Sequence, residues 1–516
     1  ALVVRGNGDS YWFPLSAGVY SHAAGDSSYS RLEKLANNTF ALTSKYGIVS
    51  HFSTTGLLTS RVDSNSNTTS FAYSGKDSDG LVDELLSITD PFGRVITFGY
   101  TGSKVTSITH FSGKITALAY TANNLTSYTL TDPDPTDSVV APQVSFVYLS
   151  NSLGRTDAVN QTTTYNFNAS DGRLRSVSFP DATSWEIIPS EVIGLATASS
   201  GNALATPADA VAKVTDQREI AMVANASQRK TWQFRTDRFG GIIQSTTALG
   251  FVREYQRDKD GLVHTFIEPD PDGPNNPLVS PKTYVGYNSS GDATYYQAAD
   301  GGTSRTAYTL DLHRPIRTKD PLGNTQSLIY DSRGNLVASV DGSGFITQII
   351  VNSRGLTTRI SVPDPDGNGP LTAPVTNFAY NTYGMLSTLT NPDGSTKTFT
   401  YNSAGQLLTY VDELGKTTTL TYDPLGRPKT QTNRVGAVTQ WQYDSASYLR
   451  QEIDPVGNIT DITYDPLGRT DTITFPDPDG VGSLTRPVNN IEYDPNGNVS
   501  FEGDSRGNFT GQIPYT

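Results

Sequence analysis

The chain has 516 residues, of which 36% are hydrophobic, and it carries a formal net charge of −13. This acidic balance argues against nucleic acid and anionic membranes as partners, because both attract basic surfaces. The chain contains no cysteine, which excludes disulfides and cysteine catalysis, and it has no apolar stretch long enough to insert into a bilayer.

Residues 1–70 show no clean periodicity. They contain a glycine-rich turn at 5–9 and an aromatic run at 11–13, which are typical of strands joined by irregular turns. The sequence therefore predicts an irregular β lead-in to the remainder of the chain.

A recurring strand ending begins at residue 71, where an apolar residue stands two positions before a tyrosine. Residues 71–184 carry it at the tyrosines Tyr73, Tyr100, Tyr120 and Tyr148. Their spacing is uneven, which predicts divergent repeats. The pattern fails over 185–217, and only 203–214 has helix propensity, which Pro207 limits. A loop or a short helical insertion is expected there.

The pattern becomes regular over 218–516. From Tyr380 to Tyr464, tyrosines recur at intervals of 21 residues, and the turn glycines from Gly405 to Gly436 alternate at intervals of 10 and 11. About six residues then separate consecutive turns, which suits a strand and is too short for a helix. The phrase YDPLGR, present at 422–427 and 464–469, provides a tight turn with a glycine at the position that needs a positive φ. Each repeat is therefore predicted to be two antiparallel strands of a long strip.

The two faces of the predicted strip differ in chemistry. In 417–422, Leu420 and Tyr422 share one face, and three threonines occupy the other. Successive repeats thus align their tyrosines in a ladder. Packing of the tyrosines within the strip is expected, and binding of glycans by exposed rings is the alternative.

Four Asp-Pro-Asp phrases interrupt the period, at 132–135, 269–273, 363–367 and 476–480. At the last two, the tyrosine spacing grows from 21 to 29 residues, so each is predicted to lengthen one loop without changing the strand register. Their carboxylates, at Asp364, Asp366, Asp477 and Asp479, are interpreted as acidic turns. Calcium binding is the alternative, although the terminal glutamate of a full calcium loop is missing.

No motif in the sequence indicates catalysis. The five histidines are scattered, without metal-ligand spacing, and stand at His22, His51, His110, His264 and His313. No nucleophile elbow, phosphate-binding loop or dinucleotide fingerprint occurs. The sequence therefore predicts no catalytic, metal-binding or cofactor-binding residues, no cofactor, and a protein that is not an enzyme.

The Tyr-Asp phrases followed by Gly-Arg or Gly-Asn, in units of 21 residues, resemble the RHS/YD-repeat family of bacterial proteins, whose repeats are related to those of animal teneurins. The resemblance covers 71–516, with 185–217 as its weakest part. It implies an all-β strip of antiparallel hairpins that spirals into a hollow shell or tube. Bacterial members often enclose a C-terminal toxin. The family's C-terminal shell end, with its self-cleavage aspartates, has no match here, so protease activity and cargo are not carried over.

Two classes of function follow from this resemblance. The first is a non-enzymatic, extracellular or cell-surface bacterial shell that encloses or delivers a polypeptide cargo such as a toxin. The alternative is a surface adhesin or a self-assembling filament. The expected partners are other parts of a longer polypeptide or further copies of the chain, an encapsulated polypeptide, and glycans. The end of the sequence, where the next tyrosine is due, predicts that the repeats continue or that their edge pairs with another copy.

Overall fold

Every element in the described part of the protein is a β-strand. The computed structural model describes residues 2–4, 10–16, 19–20, 29–75, 84–132, 141–170, 172–189, 216–223, 229–236, 241–247, 250–258, 260–272, 278–367, 369–480, 482, 484–493 and 499–504. The all-β prediction is confirmed for these residues.

The strands are short, as the turn spacing predicts, and most have five or six residues. Those before residue 190 are Leu2–Val4, Ser10–Trp12, Leu15–Ser16, Val19–Tyr20, Arg31–Lys34, Phe40–Thr43, Val49–Phe52, Leu58–Val62, Thr68–Tyr73, Leu85–Thr89, Val95–Thr101, Lys104–Thr109, Ile115–Thr121, Asn124–Thr129, Gln143–Leu149, Ser152–Thr156, Thr162–Phe167, Leu174–Ser178 and Ser184–Pro189. Those that follow are Asp216–Val223, Arg229–Thr236, Ile242–Thr246, Val252–Arg257, Val263–Ile267, Lys282–Tyr287, Ala293–Gln297, Thr303–Tyr308, Pro315–Lys319, Thr325–Tyr330, Leu336–Val340, Ile346–Val351, Thr357–Ser361, Val375–Tyr380, Leu386–Thr390, Thr396–Tyr401, Leu407–Val411, Thr417–Tyr422, Pro428–Thr432, Val438–Tyr443, Leu449–Ile453, Ile459–Tyr464, Thr470–Thr474, Val488–Tyr493 and Val499–Asp504.

The chain divides into two compact units, each assembled from three segments. The first unit comprises 1–94, 189–219 and 232–394, and the second comprises 95–188, 220–231 and 395–516. The sequence-based domain boundaries stay predictions. Of the predicted insertion, residues 185–189 belong to the strand Ser184–Pro189 and 216–217 to Asp216–Val223. The predicted helical stretch lies outside the described residues.

Neighbouring strands pair in antiparallel register through simple hairpins. In one repeat Thr419 pairs with Thr432 and Leu420 with Gln431, and a bulge then shifts the register just before Tyr422. The turn that follows is closed by Asp423, whose carbonyl accepts a 2.8 Å hydrogen bond from the Gly426 amide. Gly426 has a φ of 85°, which glycine adopts at little cost. The turn chemistry predicted from the repeated phrase is confirmed.

The sheet has one layer, and little of it is fully buried. The strand Thr417–Tyr422 alternates between exposed and half-buried residues, with the apolar face half-buried. In the described chain one cluster of fully buried apolar residues occurs, around Phe13 and Leu32 in the lead-in. In Thr417–Tyr422 one face is therefore exposed and the other keeps partial contact with solvent.

Candidate functional site: the turn edges and their seam

The hairpin turns lie alternately at the two ends of the strands. We call each of these two rows of turns an edge of the sheet. We call the turns that directly follow a tyrosine strand, such as 423–427, the tyrosine edge. The turns that follow the other strand, such as 412–416, form the opposite edge. The strands within 31–189 are called the first run, and those within 252–504 the second run. These edges carry the long-range contacts of each unit.

In eight of the repeats, a hydrogen bond from the tyrosine hydroxyl fastens the repeat to the one before it. Tyr422 Oη donates to the Leu407 carbonyl at 2.8 Å. The ladder between these two strands ends at the pair Thr409 and Thr419, so the Leu407 carbonyl lies just beyond the last backbone pair. The hydroxyl supplies the partner that this carbonyl would otherwise take from water. The same bond joins Tyr73 to Leu58, Tyr287 to Val263, Tyr308 to Ala293, Tyr330 to Pro315, Tyr380 to Thr357, Tyr464 to Leu449 and Tyr493 to Thr470.

The tyrosine bond also shows that the inserted loops preserve the register. Tyr422 and its acceptor are 15 residues apart. Tyr380 and Thr357 lie 23 apart across the inserted loop, yet the hydroxyl reaches the equivalent carbonyl. The prediction that each insertion extends a loop without shifting the strands is confirmed for this repeat.

The tyrosine rings are half-buried, and burial raises the pKa of the Tyr422 and Tyr464 hydroxyls above their usual value of 10.0. The rings also receive arginines from the preceding tyrosine-edge turn. The Arg427 guanidinium lies 4.7 Å from the centre of the Tyr443 ring, and Arg469 lies 4.4 Å from that of Tyr493. These contacts favour a packing role for the ladder.

A seam joins the opposite edge of the first run to the tyrosine edge of the second run. In the first unit, Asn65 and Asn335 exchange side-chain hydrogen bonds of 2.9 and 2.8 Å. Asn67 Nδ2 donates to the Arg354 carbonyl at 3.1 Å. These partners are 270 and 287 residues apart in sequence, so the seam fastens turns that no local pattern connects.

Phe92 is the apolar side chain that packs across this seam. We call an apolar side chain at this position of a turn a knob. Phe92 is the third residue of the turn 90–94, and its ring lies against Gly384, so close that a Cβ on the glycine would stand 2.4 Å from the ring. The Arg354 guanidinium lies 4.8 Å from the ring centre on the neighbouring turn. A tyrosine-edge glycine thus provides the space into which an opposite-edge side chain fits.

A buried ion cluster marks the seam near its beginning. Lys45 Nζ lies 2.6 Å from Asp292 Oδ1, and the two side chains are 6% and 3% exposed. His313 Nδ1 lies 2.8 Å from Asp292 Oδ2, and Asn288 Nδ2 donates to the same oxygen at 2.8 Å. The Lys45 ammonium also lies 5.3 Å from the centre of the Tyr29 ring.

The carboxyl of Asp292 is held ionised by these partners. Burial by itself would raise its pKa, but the hydrogen bonds from Lys45, Asn288 and His313 and the charge of Lys45 outweigh burial, so the pKa is lowered. Sequence reasoning missed this cluster because its members lie far apart. One signal was present: residues 309–314, which contain His313, replace the usual Asx-x-x-Gly turn with a sequence that lacks glycine.

The second unit has a seam of the same construction. Ser445 Oγ donates to the Ala158 carbonyl at 2.8 Å, and Arg469 lies 4.0 Å from Asp181. Lys114, on the opposite edge, approaches Gly426 so closely that its Nζ would stand 2.3 Å from a Cβ added there. Beside this contact lies an open cavity of ≈ 520 Å³, lined by polar and apolar residues of both runs.

The opposite edge of the second run has a different environment. Four of its turns carry an aliphatic residue at the third position, the position that Phe92 occupies in the first run. Leu322 is 88% exposed in the first unit, and Leu414, Val435 and Val456 are 79, 81 and 82% exposed in the second. These four residues, called the open knobs, have no protein layer over them in the described chain.

The acidic insertion loops use their carboxylates to hold their own backbone. Asp364 Oδ1 accepts from the Asp366 amide at 3.3 Å, and Asp366 Oδ2 accepts from the Leu371 amide at 3.2 Å. Asp477 and Asp479 repeat this arrangement. Within the described ranges, no group of three or more histidines and carboxylates is placed to hold a metal ion. The expectation that the chain needs no cofactor stays a prediction, as does its calcium alternative.

Of the histidines, His313 lies in the ion cluster, and His110 Nδ1 lies 2.6 Å from Ser112 Oγ in its own turn. His22 lies outside the described residues. No described helix is long and apolar enough to cross a membrane. The predictions of no catalytic residue and no membrane insertion remain predictions.

The fold and its turn edges define a protein of antiparallel β-hairpin repeats. Part of the regular repeats matches a known family: the family model described as RHS Repeat matches residues 380–417, 401–438 and 422–459. The resemblance drawn from the Tyr-Asp phrases is therefore confirmed over 380–459. No curated protein sequence is significantly similar to the chain.

Several solved structures contain chains that are similar to this one. The crystal structure of TcdB2-TccC3 without its hypervariable C-terminal region matches 92% of this chain at 12% identity and a TM-score of 0.39. A Photorhabdus luminescens Tc holotoxin pore matches 100% of it at 12% identity and a TM-score of 0.40. The chain spans only 35% and 29% of those chains. TM-scores this low do not establish a shared arrangement of the whole chain.

Proposed function

We propose that this protein is a non-enzymatic RHS wall that encloses or delivers a polypeptide cargo outside a bacterial cell. The observation that carries the proposal is the seam. In each unit, turns of one run of hairpins lock onto turns of another run far away in sequence. A strip that fastens edge to edge builds a continuous wall more than one strip high, which is what a container requires.

The construction of the sheet supports the same role. A globular enzyme covers its apolar sheet face with a second layer, whereas the apolar face of these repeats is only half-buried and has no such layer in the described chain. The tyrosine hydrogen bonds hold the one-layer sheet together from strand to strand. The half-buried face of tyrosine, leucine and isoleucine is available to an enclosed polypeptide.

The test is limited proteolysis of the native protein as its cell produces it, with the peptides identified by mass spectrometry. We expect non-repeat peptides to stay protected in the wild type. A seam variant, Phe92→Ala with Asn65→Ala, should make them cleavable. The matched control is Leu414→Ala, which alters an open knob and should leave protection unchanged. Cleavage of all non-repeat peptides in the wild type would exclude the container role.

A second candidate, a self-assembling filament, is favoured by the row of open knobs on the second run. It needs an interface between copies of the chain.

A further inference from the structure

We propose that the exposed face of the sheet in the first unit binds an anionic polysaccharide at three neighbouring cations, Arg305, Arg317 and Lys319. We call these three residues the basic patch. The strand Thr303–Tyr308 alternates between exposed and half-buried residues, and the basic patch lies on the exposed face, opposite to the tyrosine ladder. The inference does not depend on the container function.

The basic patch occupies two neighbouring strands of the second run. Arg305 pairs directly with Lys319 across the two strands, and the next pair on the same face is Ala307 with Arg317. All three cations are exposed. Like charges at directly opposed positions destabilise a pair of strands, so this placement is unfavourable for the sheet by itself.

The described chain supplies no counter-ion to the basic patch. Elsewhere in the protein, cations pair with carboxylates. Lys397 Nζ lies 2.8 Å from Glu413 Oε1, and Arg253 Nη2 lies 2.6 Å from Glu268 Oε2. In the part of the chain that the structure describes, no ion pair involves any residue of the basic patch. Acidic residues are not scarce, since the chain has 51 of them against 38 lysines and arginines.

The carboxylates of the flanking turns hold their own turns together. Asp320 follows Lys319 in sequence, but its Oδ1 accepts from the Asn324 amide and its Oδ2 from Asn324 Nδ2, both at 2.8 Å. In the turn on the other side, Asp300 Oδ1 accepts from the Gly302 amide at 2.9 Å. An anion from outside the chain is therefore the partner that the basic patch fits.

Tyrosine rings continue the basic patch on the same face. Tyr295 pairs with Arg305, whose guanidinium lies 5.3 Å from the centre of the Tyr295 ring. The Tyr295 hydroxyl donates to Gln297 Oε1 at 3.1 Å, and a Cβ added to the facing Gly286 would stand 3.2 Å from Tyr295 Cβ. Tyr284 pairs with Gln297 on the next strand and is 41% exposed. Tyr295 is thus held in place, and Tyr284 presents an exposed ring beside it.

The combination of cations and exposed rings favours a polysaccharide that carries carboxylates or sulfates. Guanidinium groups pair with such anions through two parallel hydrogen bonds, and the apolar C–H side of a sugar ring packs on the face of a tyrosine ring. From Tyr284 to Lys319 the face crosses four neighbouring strands, a distance of about 14 Å. This is enough for a short stretch of linked sugars.

The charge of the chain argues against a nucleic acid at this site. A nucleic acid carries a phosphate at every nucleotide, and a protein with a net charge of −13 repels it beyond the basic patch. An acidic polysaccharide carries its anions on only some of its sugars. An acidic polypeptide would pair with the cations, but it has no sugar ring to pack on Tyr284.

The experiment measures binding of the full chain to polygalacturonate and to dextran sulfate by isothermal titration calorimetry, at low and at high salt. Neutral dextran, polyglutamate and single-stranded DNA are the comparison ligands. The patch variant is Arg305→Gln/Arg317→Gln/Lys319→Gln, and Tyr284→Ala tests the exposed ring. Circular dichroism confirms that each variant is folded.

The matched control variant is Arg61→Gln/Arg175→Gln/Lys429→Gln. It removes three exposed cations that lie on separate strands, so it changes the net charge by the same amount as the patch variant. A loss of binding in the patch variant alone is therefore an effect of the site and not of the total charge.

We expect the wild type and the control variant to bind at least one of the two anionic polysaccharides, and neither protein to bind neutral dextran. The patch variant should bind about tenfold more weakly, because each exposed ion pair contributes a few-fold to affinity. The salt dependence of binding should largely disappear with the cations. Tyr284→Ala should weaken binding of the polysaccharide several-fold and leave any binding of polyglutamate unchanged.

Three results would overturn the proposal. A wild type that binds neither anionic polysaccharide shows that the basic patch is not a polysaccharide site. A patch variant that binds as tightly as the control variant places any binding elsewhere on the protein. Polyglutamate or single-stranded DNA that binds as tightly as the polysaccharide overturns the assigned class of ligand.

Discussion

The opposite edge of the sheet is built from the same turns in both runs but has two environments. In the first run, Asn65, Phe92 and Asp181 are half-buried under the turns of the second run. In the second run, Leu414, Val435 and Val456 occupy the equivalent positions and stand in solvent. The local sequence sets the turn, and only the presence of a facing strip decides whether its third residue stabilises the protein.

The glycines of the second run show the same contrast. Those on the tyrosine edge, such as Gly355, Gly384 and Gly426, are approached by side chains of facing or neighbouring turns. Those on the opposite edge, such as Gly415 and Gly436, have no described atom within 4 Å of an added Cβ. Both kinds have a positive φ. On one edge glycine is needed for the turn and for space, and on the other for the turn alone.

The largest effect is expected where the covered edge buries charge. Asp292→Ala leaves the Lys45 ammonium buried without its counter-charge, and it should lower the free energy of unfolding by about 3–5 kcal/mol. Urea unfolding followed by circular dichroism measures this. The control is Asp320→Ala on the open edge, which should have a far smaller effect. The double variant Lys45→Met/Asp292→Leu should recover much of the lost stability. If Asp292→Ala costs no more than Asp320→Ala and the double variant recovers nothing, the cluster does not stabilise the seam.

A smaller difference is expected between an apolar knob in the seam and one in solvent. Phe92→Ala should cost about 2 kcal/mol, roughly half of what a fully buried phenylalanine costs. Leu414→Ala should change stability by less than about 0.5 kcal/mol. Hydrogen exchange at 381–385 gives a local readout, since Gly384 faces Phe92. Equal effects of the two substitutions would remove the distinction between covered and open edges.

The tyrosine hydrogen bond should be equal in the two runs, because it belongs to the repeat and not to the edge. Tyr422→Phe and Tyr73→Phe each leave a backbone carbonyl without its partner and should each cost about 1 kcal/mol. Tyr383→Phe is the control, since this tyrosine is 46% exposed in a turn. Urea unfolding of the three variants tests this. A much larger loss of stability on substitution in one run would mean that the hydroxyl there also stabilises the seam.

The repeat itself could be predicted from the sequence because its determinants are local. Turn glycines 10 or 11 residues apart predict the strand lengths, and the alternation in 417–422 assigns the faces. The structure has Leu420 half-buried between exposed threonines, as expected. The alternation does not specify where the bulge before Tyr422 lies, nor which carbonyl accepts from the Tyr422 hydroxyl. Both depend on how neighbouring strands pair.

The seam could not be predicted, since its contacts join residues such as Asn65 and Asn335 that are 270 positions apart. An asparagine in a turn is explained by the turn alone, so nothing in the sequence marks Asn65 as a partner of Asn335. The same holds for Phe92 and Leu322, which occur in nearly identical phrases. Their different burial depends on whether a turn from a distant part of the sequence faces them, and this leaves no local signature.

The smallest effect concerns pH and refines the comparison of tyrosines. Burial raises the pKa of Tyr422 above 10.0, so the fold favours the neutral hydroxyl, which can donate to the Leu407 carbonyl. The contribution of the neutral Tyr422 hydroxyl to the free energy of unfolding is complete below pH 10. It is lost as the pH rises through the pKa of this hydroxyl in the folded state. The advantage of the wild type over Tyr422→Phe should therefore shrink at alkaline pH, because phenylalanine does not ionise. Urea midpoints of both proteins, measured at several pH values on either side of 10, give the difference. Lysines and arginines titrate alike in both and cancel, so a difference that widened with pH would contradict the assignment of the hydroxyl as donor.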